Sequence, residues 1–208
     1  MEFYSVVESR RMVRQFTTDP VDMDCVKRVL AAGLRAPTND HLRNWEFVVL
    51  TDAETIAAVL KLIPKRASSK RVDFLLDSWK AKDDRQRLMY HIAIPEQYAM
   101  LSTSGCLVLP FYKQSGNLLK PRAQSSLNAF ASIWCCIENI LLAATAEGLG
   151  AALRIPVGRE SEHITETLSP PAGYVMPCYI ALGHATPDTA SIPQIEPDVT
   201  ERLHINRW

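Results

Sequence analysis

The chain carries an arginine-rich stretch near its beginning, Ser9-Arg10-Arg11-Met12-Val13-Arg14-Gln15-Phe16. Three arginines fall within five residues, and large apolar side chains flank them. A solvated run of charges usually has mixed signs and few apolar neighbours, so we expect these cations to border a packed region. Guanidinium groups bind phosphate through paired charge-assisted hydrogen bonds, which makes an anion site one interpretation. The alternative is a helix C-terminus, where arginines complement the dipole and pair with nearby acids.

The composition is that of an ordinary globular protein. The 208 residues are 47 % hydrophobic and 22 % charged, which predicts one domain over 1–208 and argues against disorder. Lys plus Arg equals Asp plus Glu at 23 each. Because nucleic-acid-binding proteins usually show a basic excess, we do not expect a nucleic-acid partner.

The cysteines and histidines do not form a metal-binding pattern. The five cysteines include no CxxC pair, and the five histidines lack ligand spacing, so no metal site is predicted. An odd cysteine count without a signal peptide indicates a reducing compartment. The longest apolar run is broken by Glu138, Asn139 and Glu147, which argues against a membrane span. These features predict a cytoplasmic protein with no membrane association.

The first half of the chain alternates helix and strand patterns. Apolar spacing predicts helices over 2–9 and from Asp22 to Ala36, and a β-branched run predicts a strand over 45–50. A capping box at 51–54 opens a further helix through about Ile63. Residues 64–125 are harder to assign. They read as loops with one or two exposed helices around a buried strand at 105–112, and form a candidate lid or insert.

The second half is dominated by one apolar helix. Residues 127–144 are apolar on most faces, which predicts a helix buried on all sides at the core of the domain or of a dimer. A short strand at 151–155, a helix at 161–168 and a strand at 175–182 follow. The extension 185–208 ends in Trp208, and we expect its apolar residues to pack on something, a partner subunit being one candidate. This interleaving predicts a mixed sheet packed by helices.

Familiar catalytic motifs do not appear. The chain contains no GxSxG or HExxH hydrolase motif and no GxGxxG or GxxxxGK[ST] phosphate loop. A hydrolase, a Rossmann nucleotide site and a P-loop site are therefore not expected. On these grounds alone the chain is a globular domain with an arginine cluster.

Several motifs, taken in order, resemble the FMN-dependent nitroreductase family. The arginine stretch followed by Pro20-Val21 is similar to its N-terminal signature, and Arg35 to Val49 is similar to its second motif. Glu138 to Gly150 resembles the central helix and its end. Pro170 to Tyr174, the strand ending at Gly183 and the closing His204 to Trp208 also fit. Each motif is weak alone, but their common order across most of the chain, outside about 60–125, is specific.

The resemblance implies an α+β fold with a mixed, mostly antiparallel sheet, dimerised through long helices, with two FMN molecules at the subunit interface. It assigns the cofactor-binding residues in three groups and names no catalytic side chain. The phosphate and ribityl chain would meet Arg10, Arg11, Met12 and Arg14; a loop reaching the partner's flavin would supply Pro37, Thr38, Asn39 and His41; and the isoalloxazine would lie near Ile155, Pro156, Val157 and Gly158. Backbone N–H groups of the last set could favour negative charge on the reduced ring.

The implied activity is electron transfer from NADH or NADPH, through FMN, to a small oxidised acceptor such as a nitroaromatic, quinone or enone. The alternative is a non-catalytic flavin-binding protein for storage or regulation. Two departures from the family pattern support the alternative. His41 stands where many members carry Asn, with Arg43 and Asn44 replacing Gln and Pro. The segment 193–198 lacks the Lys or Arg that often completes the phosphate site, so Lys120, Arg122 or Arg207 could substitute.

Some single residues have two interpretations. His41 could cap a turn or contact the ligand. Arg154 could contact flavin or substrate, or form a salt bridge with Glu147, which we favour. Trp45 and Trp134 are expected to pack in the core, as strand and helix aromatics usually do.

Overall fold

The computed structural model describes residues 2–114, 116–187, 189 and 198–208. Within them the helices and strands alternate much as the sequence predicts. Their bounds are α1 Phe3–Ser9, α2 Met23–Gly33, β1 Trp45–Leu50, α3 Ala53–Val59, α4 Ser69–Ser78, α5 Asp84–Ser102, β2 Cys106–Lys113, α6 Asn128–Ala146, β3 Gly150–Arg154, α7 Glu160–Leu168, β4 Tyr174–Val175 and β5 Tyr179–Gly183.

The strands form one sheet in the order β1-β2-β5-β3, with β4 paired to β2, and every named pair is antiparallel. The chain after α1 runs along the outer edge of β3. There the Val13 N–H donates to the Ala151 carbonyl at 2.9 Å, and Met12 forms a parallel bridge with the same residue. The predicted α+β fold with a mostly antiparallel sheet is confirmed.

Helices cover both faces of the sheet. Side chains alternate across a strand, so Val108 packs against α2 and α6 while Leu107 and Leu109 pack against α3, α5 and α7. Helices α2 and α6 lie unusually close together. A Cβ on Gly33 would stand 2.6 Å from Ile140 Cγ1, so this crossing requires glycine. The sheet is thereby held between two helical layers.

Helix α6 confirms the predicted central helix, and within the single chain one face of it is buried while the opposite face is exposed. Ile133, Ile137 and Ile140 are buried against the sheet. On the opposite face Ala131, Cys135 and Glu138 are exposed, at the spacing of one helical stripe. Among the described residues, Gln124–Ala146 is the one helix long and apolar enough to cross a membrane. The core helix of a globular domain meets the same criteria.

The strand predicted over 175–182 is divided into β4 and β5. Residues 176–178 lie between them, and Pro177 has no N–H to donate to a ladder. The helix predicted after the capping box is present, but its N-cap is Asp52 instead of Thr51. The Asp52 carboxylate accepts from the Thr55 N–H at 2.7 Å, and the helix ends at Val59 instead of Ile63.

The segment 64–125 contains two helices, α4 and α5. Arg87 of α5 lies 3.1 Å from Asp77 of α4, and His91 Nε2 lies 3.0 Å from Asp73. Arg87 and His91 are half-buried while their carboxylate partners are exposed, and on the inner side of the hairpin Leu76 is fully buried. The hairpin of α4 and α5 therefore packs its inner side on the domain and exposes its outer side to solvent.

Candidate functional site

The three arginines of the opening stretch have different partners. Arg10 Nε lies 3.5 Å from Glu138 Oε1 of α6. Arg11 Nη1 donates to the carbonyls of Glu8 and Arg10, the latter at 2.8 Å. These carbonyls belong to the end of α1, so Arg11 behaves as the helix-capping alternative predicts. Arg14 donates to the Met12 carbonyl at 3.3 Å.

Arg14 is partly buried beside α5. It lines a small cleft together with Gln15, Ile92, Glu96 and Thr189. Burial lowers the pKa of its guanidinium, but arginine starts so far above neutrality that it stays charged. A partly desolvated cation of this kind interacts with an anion more strongly than a fully hydrated one.

The loop 155–158 begins where β3 ends. The parallel bridge from Met12 to Ala151 places the arginine segment alongside β3, so the arginines and the loop share one edge of the sheet. Ile155 and Val157 are 58 % and 63 % exposed, which leaves two apolar side chains open to a ligand or a partner. Gly158 has φ +58°, a conformation that favours glycine.

Arg154 does not pair with Glu147, so that prediction is wrong. Its guanidinium forms a bidentate ion pair with Glu160, with Nη2 to Oε1 at 2.8 Å. The Glu160 carboxylate also accepts from the Val157 N–H at 3.1 Å. Glu147 instead pairs with Arg28, with Nη2 to Oε2 at 2.8 Å, and this contact lowers the pKa of the Glu147 carboxyl. One N–H of the predicted flavin loop is thus already used within the protein.

An apolar cavity of about 340 Å³ opens beside this loop. Its walls come from β2, α6, α7 and the loop itself, and include Phe111, Tyr112, Phe130, Trp134, Ile155 and Pro156. The Tyr112 hydroxyl donates to Gln114 Oε1, and burial raises the pKa of Tyr112 to about 12. Trp134 packs against the core as predicted and also lines this cavity.

The sequence does not predict the aromatic residues of the cavity as site residues. Tyr112 lies in a strand pattern and Phe130 in a helix pattern, where aromatic side chains usually indicate core. Only the fold shows that both end at the same opening. Trp45, by contrast, is buried opposite Tyr112, which confirms its expected place in the core.

The loop 37–41 is anchored on α6, beside its exposed face. The Asn39 N–H donates to Ser132 Oγ at 3.2 Å, and Pro37, Thr38 and Asn39 line a cleft with Ala131 and Cys135. His41 ends a short 3-10 turn and is exposed with φ 53°, so both interpretations of this residue stay predictions. Left-handed backbone at non-glycine residues costs about 1–3 kcal/mol each and often marks functional sites.

The candidate replacement cations lie on the surface. Lys120 and Arg122 are exposed in the loop before α6, and Arg207 is exposed in the tail. Residues 193–197, where the usual cation was found missing, lie outside the described residues. The end of the chain places the rings of His204 and Trp208 in a stack with centroids 4.4 Å apart.

An antiparallel sheet between two helical layers defines an α+β domain, and the cations along one edge and the open apolar loop at the strand end are its candidate ligand site. Residues 7–184 match the model of the Nitroreductase family, and the chain belongs to that family. Members of the family are flavoprotein oxidoreductases.

Among known proteins, the chain is 26 % identical over 186 residues to iodotyrosine deiodinase 1 of Rattus norvegicus, covering 83 % of this chain and 62 % of that protein. It therefore spans about three fifths of that relative. It is 24 % identical over 178 residues to an NADH dehydrogenase of Thermus thermophilus, covering 84 % and 82 % of the two chains. A crystal structure of oxidised iodotyrosine deiodinase bound to FMN and 3-iodo-L-tyrosine matches at TM-score 0.74 and 15 % identity, covering 100 % of both chains.

Proposed function

We propose that the protein is an FMN-dependent oxidoreductase that transfers electrons from NADH or NADPH to a small oxidised acceptor such as a nitroaromatic, quinone or enone. The observation that carries this proposal is the shared sheet edge: the arginine segment runs beside β3 through the Met12–Ala151 bridge, and the open apolar loop follows the end of the same strand. The FMN of one structural relative and the name of the Thermus relative support the cofactor and the donor. Bound FMN supplies the two-electron chemistry.

The residues present fit such a cofactor. Arg10 and Arg14 would bind the phosphate, and Met12 would contribute backbone contacts. Arg11 would mainly fix the conformation of the segment, through its hydrogen bonds to the carbonyls of Glu8 and Arg10. The Met12–Ala151 bridge lies near the start of β3 and the loop follows the end of that strand, so the arginine segment and the loop stand in that order along β3. A molecule with an anionic end, a polar chain and a flat apolar ring matches that order.

The loop 155–158 would receive the ring. Ile155, Pro156 and Val157 supply apolar surface. Because Glu160 accepts from the Val157 N–H, we assign the contact that favours negative charge on the ring to the Gly158 N–H. The adjoining cavity, with its aromatic walls, would take the acceptor. Leu118, from the candidate lid segment 64–125, lines it and would help shape the choice of acceptor.

A homodimer would complete the site. The exposed stripe of α6 at Ala131, Cys135 and Glu138 is bordered by the loop 37–41, so a second copy packed there would bring its own loop towards the first copy's flavin. The tail leaves Leu203, Ile205 and Trp208 exposed, which fits an extension that packs on a partner subunit. We place this dimer in the cytoplasm, free of membrane and nucleic acid.

A flavin-binding protein without turnover is the second candidate. It is favoured by the ion pair of Arg10 with Glu138 and by the carbonyl contacts of Arg11, which leave fewer free charges for a phosphate. Such a protein would bind FMN but would not pass electrons from NADH or NADPH at a useful rate.

The absorbance spectrum of the purified protein separates the possibilities. After incubation with excess FMN and removal of free cofactor, a flavin band should remain. Anaerobic addition of NADH, and in a parallel sample NADPH, should bleach it. A band that neither donor bleaches favours the storage or regulatory protein, whereas a colourless protein would contradict both proposals.

A further inference from the structure

Arg154 and Glu160 are the buried charged residues among the described part of the chain, at 7 % and 5 % exposure. They flank the loop 155–158 directly, with Arg154 ending β3 and Glu160 beginning α7. Their bidentate ion pair therefore closes the loop at its base, and the carboxylate reaches into the loop to accept from the Val157 N–H.

Two further elements contact this pair. Arg154 Nε donates to Gln97 Oε1 of α5 at 2.9 Å, and the guanidinium lies 5.8 Å from the centre of the Tyr179 ring. Burial and the nearby Glu160 carboxylate both raise the pKa of Tyr179, so its hydroxyl stays neutral. The pair thus links the loop to β5 and to the helical hairpin that contains α5.

A buried ion pair is a poor source of stability. Removing two charges from water is costly, and well-packed apolar residues in their place are often as stable or more so. What apolar residues cannot supply is an acceptor for the Val157 N–H and a fixed direction for the loop backbone. The ion pair is therefore better explained as a device that fixes the conformation of the loop 155–158 than as one that stabilises the domain.

We propose that Arg154 and Glu160 are positioning residues that hold the loop 155–158 in the conformation that receives the flavin ring, acting on the ring through the backbone of Val157 and Gly158. This inference rests on the proposed function for its ligand. The conformation of the loop, however, can be measured without any flavin.

The test uses the full chain and three variants. Glu160→Gln keeps the shape of the side chain and removes its charge. The double change Arg154→Met with Glu160→Leu removes both charges while filling the space. Glu147→Gln is the matched control, because it breaks a similar bidentate pair with Arg28 at the other end of β3.

Amide hydrogen exchange of the flavin-free proteins is the first readout, and FMN titration by flavin fluorescence is the second. In both site variants, amide exchange at Val157 should rise about tenfold, because its hydrogen bond to the Glu160 carboxylate is weakened or lost, and the FMN dissociation constant should rise by a similar factor. The double variant should keep a melting temperature near that of the parent. The control should match the parent in both readouts.

The double variant decides between positioning and packing. If it binds FMN as tightly as the parent and its loop amides exchange no faster, the pair is only structural and the inference is overturned. If the parent itself does not bind FMN, the proposed function fails, and the exchange data alone then show whether the pair orders the loop.

Discussion

Glu138 of α6 lies 3.5 Å, Oε1 to Nε, from Arg10, so one of the two arginines that we assign to the phosphate already has a carboxylate partner. The Glu138 side chain is 54 % exposed, and its contact with Arg10 is correspondingly weak. A phosphate arriving at Arg10 has to displace this carboxylate or bind beside it. Glu138 would then lower the affinity for the ligand.

Glu138→Gln should therefore tighten FMN binding. Exposed ion pairs are worth about 0.2–1 kcal/mol, so we expect the dissociation constant to fall by a factor of about 1.4 to 5. Isothermal titration of the flavin-free protein measures it, and light scattering checks that this variant, whose change lies in the exposed stripe of α6, keeps the oligomeric state of the parent. Asp24→Asn, which removes the exposed partner of Lys27 on α2, is the control and should change nothing. Unchanged or weaker binding in Glu138→Gln would show that the carboxylate does not compete.

Replacing Arg10 and Arg14 together by alanine should abolish flavin retention. Each charge-assisted hydrogen bond is worth about 1.5–3 kcal/mol, so the two changes should weaken binding on the order of a hundredfold or more. Absorbance after gel filtration measures the bound flavin. Arg11→Ala is the comparison within the same cluster, and should have a smaller effect because its guanidinium is bonded to backbone carbonyls. A double variant that remains yellow would contradict the assignment of Arg10 and Arg14 to the FMN phosphate.

Ala131→Arg should convert the proposed dimer into monomers and reduce FMN binding with it. Ala131 lies in the exposed stripe of α6, where a large cation would clash with its symmetry mate or repel it. Light scattering after size exclusion gives the mass. Ala57→Arg, at an exposed position of α3 on the other face of the sheet, should remain dimeric. A parent that is monomeric at micromolar concentration would disprove this arrangement.

The stability of the fold should fall at alkaline pH because of its buried thiols. Burial raises the pKa of Cys106 to about 11 and the pKa values of Cys136 and Cys178 to about 12, from a reference of 9.0. The unfolded chain loses these protons first, so stability is full below pH 9 and is lost as the pH rises towards 11–12. Each thiol contributes at most about 1.4 kcal/mol per pH unit to this slope.

Urea unfolding at pH 8, 9 and 10 measures that slope. Cys136→Ala should make it shallower, whereas Thr145→Ala, which removes a side chain that does not ionise from the same helix, should leave it unchanged. If both variants follow the parent, ionisation of other groups accounts for the alkaline loss.

Local patterns predict local structure well in this chain. The strand at 45–50 has the predicted bounds because its β-branched and aromatic residues suit a half-buried strand regardless of its neighbours. The exposed face of α6 could not be predicted in the same way. Ala131 and Cys135 fit a buried helix by residue type, and only the position of the sheet determines which side faces outward.

The candidate site shows the same division between sequence and fold. The order of motifs identified the arginine stretch and the loops, but not which partner each arginine has. The partner predicted for Arg154 is Glu147, seven residues before it in the chain. They lie at opposite ends of β3, however, while Glu160 returns to Arg154 after a short loop. Ion-pair partners depend on such chain reversals, which residue spacing does not encode.

The segment that carries the arginines also covers the outer edge of β3, through the hydrogen bond from Val13 to Ala151. An uncovered edge strand offers unpaired backbone groups to any other extended chain and is a frequent starting point for aggregation. Proteolysis or truncation before Gln15 would therefore do more than remove cations. It would leave β3, whose residues are mostly apolar, open to pairing between molecules. The arginine segment therefore also protects the protein against aggregation through this edge.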